Sequence, residues 1–172
     1  PTSPSSNRSG IRAQTAKVLG EARLISSADR LMRLLSDDAP RVRYFAAMAL
    51  GRMRITEAHA PIVAMLAEND GRDVFLRHAG VVALEWLRDE QKTLLLASEP
   101  LVELRLSAAL VLRRWKHPAI ARLLQDADDR VVLEAARAIN DVPIPEAMPK
   151  LAELARRFAD VSAAAERPAG LE

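Results

Sequence analysis

A chain of 172 residues, 49% apolar but only 3% aromatic, is long enough for one domain with a substantial core made mainly of Leu, Ala, Val and Ile. It has no cysteine, which excludes disulfides, thiolate catalysis and thiolate-held metals, and no apolar run near the ~18 residues needed to span a bilayer. A formal charge of +2 on 25 basic and 23 acidic residues does not mark a nucleic-acid protein by itself.

The amino terminus lacks a basic region followed by an apolar stretch, so no signal peptide is expected. Residues 1–10, rich in Pro and Ser and without apolar periodicity, read as a flexible segment. The first helix follows over Ile11–Glu21. A second begins near Ser26-Ser27, with Ser27 as candidate cap and Leu31, Leu34 and Leu35 on one face. The turn Asp37-Asp38-Ala39-Pro40 leads into a longer helix over Arg41–Met53, and its acids are placed to cap that helix. On this helix Val42, Ala46, Ala49, Leu50 and Met53 share a face.

Thr56-Glu57 opens another short helix, with core candidates Ile62, Val63, Met65 and Leu66. The loop from Glu68 to Asp73 carries several oxygen ligands but fails the EF-hand spacing, so it reads as a turn. Further long helices are expected over Val74–Leu87, Leu101–Trp115 and Arg130–Asn140, separated by shortened helices over Glu90–Ala97 and Pro118–Leu124. After Val142-Pro143-Ile144-Pro145 comes a last apolar helix through Met148, Leu151, Leu154 and Phe158, and residues 160–172 read as a weakly ordered tail.

The long helices are copies of one unit. Arg12, Arg43, Arg77 and Arg105 superimpose at offsets of 31, 34 and 28 residues, and Ala138-Ile139 aligns with Val111-Leu112 another 27 residues on. The same register aligns the small residues Ala16, Ala47, Val81, Ala109 and Ala136. Each pair of a short and a long helix needs its neighbours to cover its apolar faces. The expectation is an all-α fold, a right-handed α-solenoid of paired antiparallel helices over residues 11–159 whose function lies on a continuous face.

Leu35–Arg43 followed by Ala46–Gly51 resembles the HEAT-like repeat signature. More narrowly, Leu76–Leu84, Arg105–Arg114 and Val132–Asp141 resemble the HEAT region of planctomycete-type heme-binding, membrane-bound-dehydrogenase-like proteins. That resemblance implies a connecting or docking module in a larger extracytoplasmic or periplasmic protein. It puts no catalytic or heme residue here, because the Cys-Xaa-Xaa-Cys-His attachment motif is absent.

No phosphate loop, nucleophile elbow, dinucleotide fingerprint or HExxH motif is present, so no enzyme and no cofactor is expected. His59, His78 and His117 lie in different units without ligand spacing, and Gly51 and Gly80 fall inside helices, where a close helix contact is the simpler role. Glu85, Asp89 and Glu90 read as solvated helix-end charges rather than an acid–base pair. The aligned Arg12, Arg43, Arg77 and Arg105 suggest a structural ladder reaching toward Asp38, Asp73 or neighbouring carbonyls, with a phosphate-facing row as the competing use.

A second aligned row, spaced by four residues within each helix, contains Tyr44, Met48 and Arg52, then Val82 and Trp86, then Leu106, Leu110 and Arg114. It is either a wider core or a shallow partner-binding groove with an apolar middle and a charged rim. The expected function is a noncatalytic scaffold for protein or interdomain contacts. The alternative is duplex-DNA binding through Arg52, Arg113, Arg114 and Lys116, as in HEAT-like folds that resemble superhelical DNA glycosylases.

Overall fold

The computed structural model describes residues 4–165, with side chains described over residues 7–159. The described residues contain helices and turns but no strand. The helices are α1 (Pro4–Glu21), α2 (Ala28–Leu34), α3 (Pro40–Met53), α4 (His59–Asn69), α5 (Val74–Leu87), α6 (Glu90–Leu96), α7 (Val102–Trp115), α8 (Asp129–Asp141) and α9 (Met148–Ala165). Short 3-10 turns precede α2, α4 and α9.

Packing groups the chain into two compact units, one ending at Val111 and the other beginning at Leu112. In the first, α3 lies between α1 and α5, while α2 packs on α3 and α4 on α5, an α-solenoid arrangement of paired helices stacked in chain order. In the second, a 3-10 helix over Pro118–Gln125 packs on α8 and touches the turn Pro145–Ala147 and α9.

Glycine facing alanine explains the close stacking of α1, α3 and α5. A Cβ added at Gly20 would lie 2.5 Å from the Ala49 Cβ, and one added at Gly51 would lie 2.6 Å from the Ala83 Cα. Both glycines and both alanines are repeat equivalents, so one contact is used twice. Gly80 likewise lies against Leu66, between α5 and α4. Val42, Ala46, Leu50, Ile62, Leu76, Ala79 and Leu84 are fully buried.

The long helices share their ending as well. Arg23, Arg54, Arg88 and Lys116 all have positive φ, between 50° and 58°, at the repeat register. After the left-handed residue, Leu24, Ile55 and His117 donate back to the carbonyls of Leu19, Leu50 and Leu112 at 2.9 to 3.1 Å, which closes the last turn of α1, α3 and α7. The fifth equivalent is Pro143, whose ring forbids positive φ, and α8 ends instead on Val142 with φ −121°.

Several expectations are corrected. Helix α1 begins at Pro4, so residues 4–10 are helical rather than a flexible approach; Pro4 supplies a preset φ at the helix start. At the other end α9 continues to Ala165, and residues 1–3 and 166–172 lie outside the described residues. Ser27 caps no amide; its hydroxyl donates to the Leu24 carbonyl at 2.6 Å. Neither Asp37 nor Asp38 caps α3, whose first residue Pro40 has no N–H; Asp37 Oδ1 instead accepts the Ala39 N–H at 2.9 Å and stiffens the turn. The segment after Pro118 is a 3-10 helix rather than a shortened α-helix.

Candidate functional site

Three members of the arginine row, Arg12, Arg43 and Arg77, tie one repeat to the next. Arg12 holds Asp37 with two bonds at 2.7 and 2.9 Å, Arg43 reaches Glu68 at 3.2 Å, and Arg77 reaches Glu103 at 3.4 Å. Arg105 donates to the Glu99 and Pro100 carbonyls, both at 2.8 Å. Asp38 and Asp73 are not the acceptors. Asp73 is the cap of α5, taking the amides of Phe75 and Leu76 at 2.8 and 3.2 Å, while Asp38 is exposed. The Arg12, Arg43 and Arg77 acceptors lie near helix ends, where a guanidinium from the preceding long helix can reach them, whereas Arg105 bonds the turn directly before its own helix. Arginines paired in this way offer no free phosphate-facing row.

The other aligned row divides. Val82 and Leu106 are 5% and 9% exposed and belong to the core, so their place in a contact surface is corrected. Tyr44, Met48, Trp86 and Leu110 are half-buried, and Arg52 and Arg114 are exposed. Arg114 stands in the second unit.

On that surface Tyr44, Met48 and Arg52, with Lys17, Gly20 and Glu21 of α1, line a hollow of about 200 Å³. A second, wider hollow of about 470 Å³ lies between the starts of α3 and α5, lined by Arg41, Tyr44, Phe45, Asp73, Phe75 and Leu76. Tyr44 and Phe45 form the wall between the two, with their rings edge to face at 5.2 Å. Arg41 stacks over Phe45 and Arg52 over Trp86, each guanidinium carbon 5.9 Å from the ring centre. The outer lip is Phe75, 71% exposed.

Phe45, Arg41 and Phe75 were absent from the row read in the sequence. Phe75 carried a signal nonetheless: its repeat equivalents are Gly10, Arg41, Glu103 and Arg130, so a large apolar side chain stands where the other repeats have none. The register located the helix face, but it could not show that the next residue along would complete it.

The remaining candidates have structural surroundings. His59 is buried at the start of α4 with Nε2 unpartnered, and burial is the main cause that holds its pKa below the ordinary imidazole value. His117 accepts the Ala119 amide at 3.2 Å, and His78 is exposed on α5. Asp89 caps α6 through the Lys92 amide at 3.1 Å, with its pKa lowered mainly by its bond to the Lys92 side chain. Among the described residues no three His, Asp or Glu side chains converge on a point that could hold a metal ion, and no helix is long and apolar enough to cross a membrane.

Residues 5–85 match the family model of HEAT repeats, a segment that runs from α1 nearly to the end of α5 and contains both hollows. No curated protein matches the chain.

Proposed function

We propose that the chain is a noncatalytic scaffold, and that the aromatic surface of α3 and α5, bordered by α1, is where it holds a protein or a neighbouring domain. HEAT repeats generally serve as protein-interaction scaffolds. The observation that carries the reading is the grouping of Tyr44, Phe45, Phe75 and Trp86, four of the six aromatic residues in the chain, on one partly exposed surface. Rings of this kind bury large faces at a low entropic cost and are enriched where proteins meet. Met48 extends the apolar character, and Arg52 stands at the rim.

Membership in a larger multidomain protein of the dehydrogenase-related kind is a finer proposal, supported by the sequence stretches quoted above. Adjoining propeller and Cys-Xaa-Xaa-Cys-His segments in the same gene would support it, and an array without them would count against it. Duplex-DNA binding is the weaker alternative, because Arg113 is held by Glu134 at 3.4 Å and Asp141 at 3.3 Å. A salt titration with duplex DNA tests it, since phosphate contacts give an affinity that falls linearly on a log–log plot.

These 172 residues hold no cysteine, so a photo-reactive amino acid incorporated in place of Met48 probes the surface, with the same substitution at Leu133 as a control elsewhere, and neither depends on what cysteines adjoining segments carry. Cross-linking of the full-length protein to one partner or domain from position 48, lost on Trp86→Ala with the helical signal retained, is the expected result. Equal products from both positions, or none from position 48, would overturn the assignment.

A further inference from the structure

We infer that the aromatic surface takes an acidic peptide segment: two carboxylates on either side of an apolar anchor, an inference that rests on the reading of this surface as the partner site. Arg41, Phe45, Met48 and Arg52 follow one another at spacings of four, three and four, so they lie along one face of α3. The two arginines close its ends. At ~1.5 Å rise per residue their α-carbons stand about 16 Å apart. Between them lies an apolar stretch and the wall that divides the two hollows.

The charge at those ends is uncompensated. Among the described residues neither Arg41 nor Arg52 has an ion pair or hydrogen bond to a carboxylate; each is held instead on an aromatic ring. Stacking leaves the edge donors of a guanidinium available, and a planar fork of N–H groups matches a carboxylate. The two acids on the surface are already engaged, Glu21 with Lys17 at 3.9 Å and Asp73 with the amides of α5. A segment with acids about 16 Å apart would neutralise both arginines while its apolar side chain enters a hollow beside Tyr44. Duplex DNA fits less well, because the further cation at this surface, Lys17, is paired with Glu21 at 3.9 Å and the stretch between the arginines offers rings and Met48.

The test uses fluorescence polarisation with a labelled peptide in which Asp and Glu stand five residues apart, about 17 Å when extended, around a central Phe-Leu, a second with Asn and Gln in their place, and a third with Lys at both positions; short duplex DNA is the fourth probe. The acidic peptide should bind at least about tenfold more tightly than the other two, with a salt-sensitive affinity. Arg41→Glu with Arg52→Glu should reverse the order in favour of the Lys-flanked peptide, while circular dichroism stays unchanged because both positions are exposed. Equal binding of neutral and acidic peptides would overturn the inference and leave the partner surface standing. Binding of DNA alone, an unchanged order in the double variant, or no peptide binding while position 48 still cross-links would overturn it as well.

Discussion

Arg12 and Asp37 form a two-bond fork between α1 and the turn before α3, Nε to Oδ2 at 2.7 Å and Nη2 to Oδ1 at 2.9 Å. This pairing lowers the Asp37 pKa, with the Arg12 hydrogen bond as the largest cause and burial opposing it. Asp37→Asn should therefore lower the thermal midpoint at neutral pH, since it replaces a charge-assisted fork with a neutral contact. A carboxylate with a depressed folded pKa contributes stability that is present above its unfolded value, about 3.9, and that is lost as pH falls through the folded one. Acid titrations of the parent chain and Asp37→Asn should thus converge toward low pH. A constant difference across that range would remove this role from the pair.

Glycine substitutions at two sites on the long helices should have opposite signs. Gly51→Ala places a methyl 2.6 Å from backbone of α5, so the helix spacing must change, and a loss of about 2 kcal/mol or more is expected despite the better helix propensity of alanine. Gly10→Ala meets nothing within 4 Å and should stabilise by about 0.5–1 kcal/mol. Urea denaturation of both variants measures this directly, and a neutral Gly51→Ala would mean that α3 and α5 are not in close contact.

Arg54 adopts φ 55° at the end of α3. The left-handed conformation costs a non-glycine residue about 1–2 kcal/mol, more than the ~0.3–1 kcal/mol a cation gains at an exposed helix C-terminus. Arg54→Gly should accordingly raise stability by up to about 1 kcal/mol, whereas Arg54→Ala should lower it slightly, keeping the strain and losing the charge. Chemical denaturation that ranks Ala above Gly at this position would contradict the left-handed ending.

His59 titrates against folding. Its folded pKa is depressed by burial, so below about 6.5 the unfolded chain takes up the proton first and stability falls as pH drops toward the folded value. Equilibrium unfolding between roughly pH 7 and 5 should show this decline, and His59→Leu should flatten it. An undiminished slope in that variant would assign the decline to other groups.

Read alone, the sequence determined the long helices apart from the start of the first, the order of short and long elements, the repeat register and the existence of an arginine row. These depend on local periodicity and on identity at fixed offsets, which need no knowledge of neighbours. It also placed Gly51 inside a close helix contact, because a residue without a side chain within an apolar pattern has few other uses. Only the tertiary structure decided that Arg12 pairs with Asp37 rather than Asp38, that Val82 and Leu106 are core while Tyr44 and Met48 reach solvent, and that Phe45 and Phe75 join them. The reason is rotational. One step along a helix turns a side chain by about 100°, so neighbours in sequence face different surroundings, and which of them meets solvent is set by how the adjoining helix is rotated and packed.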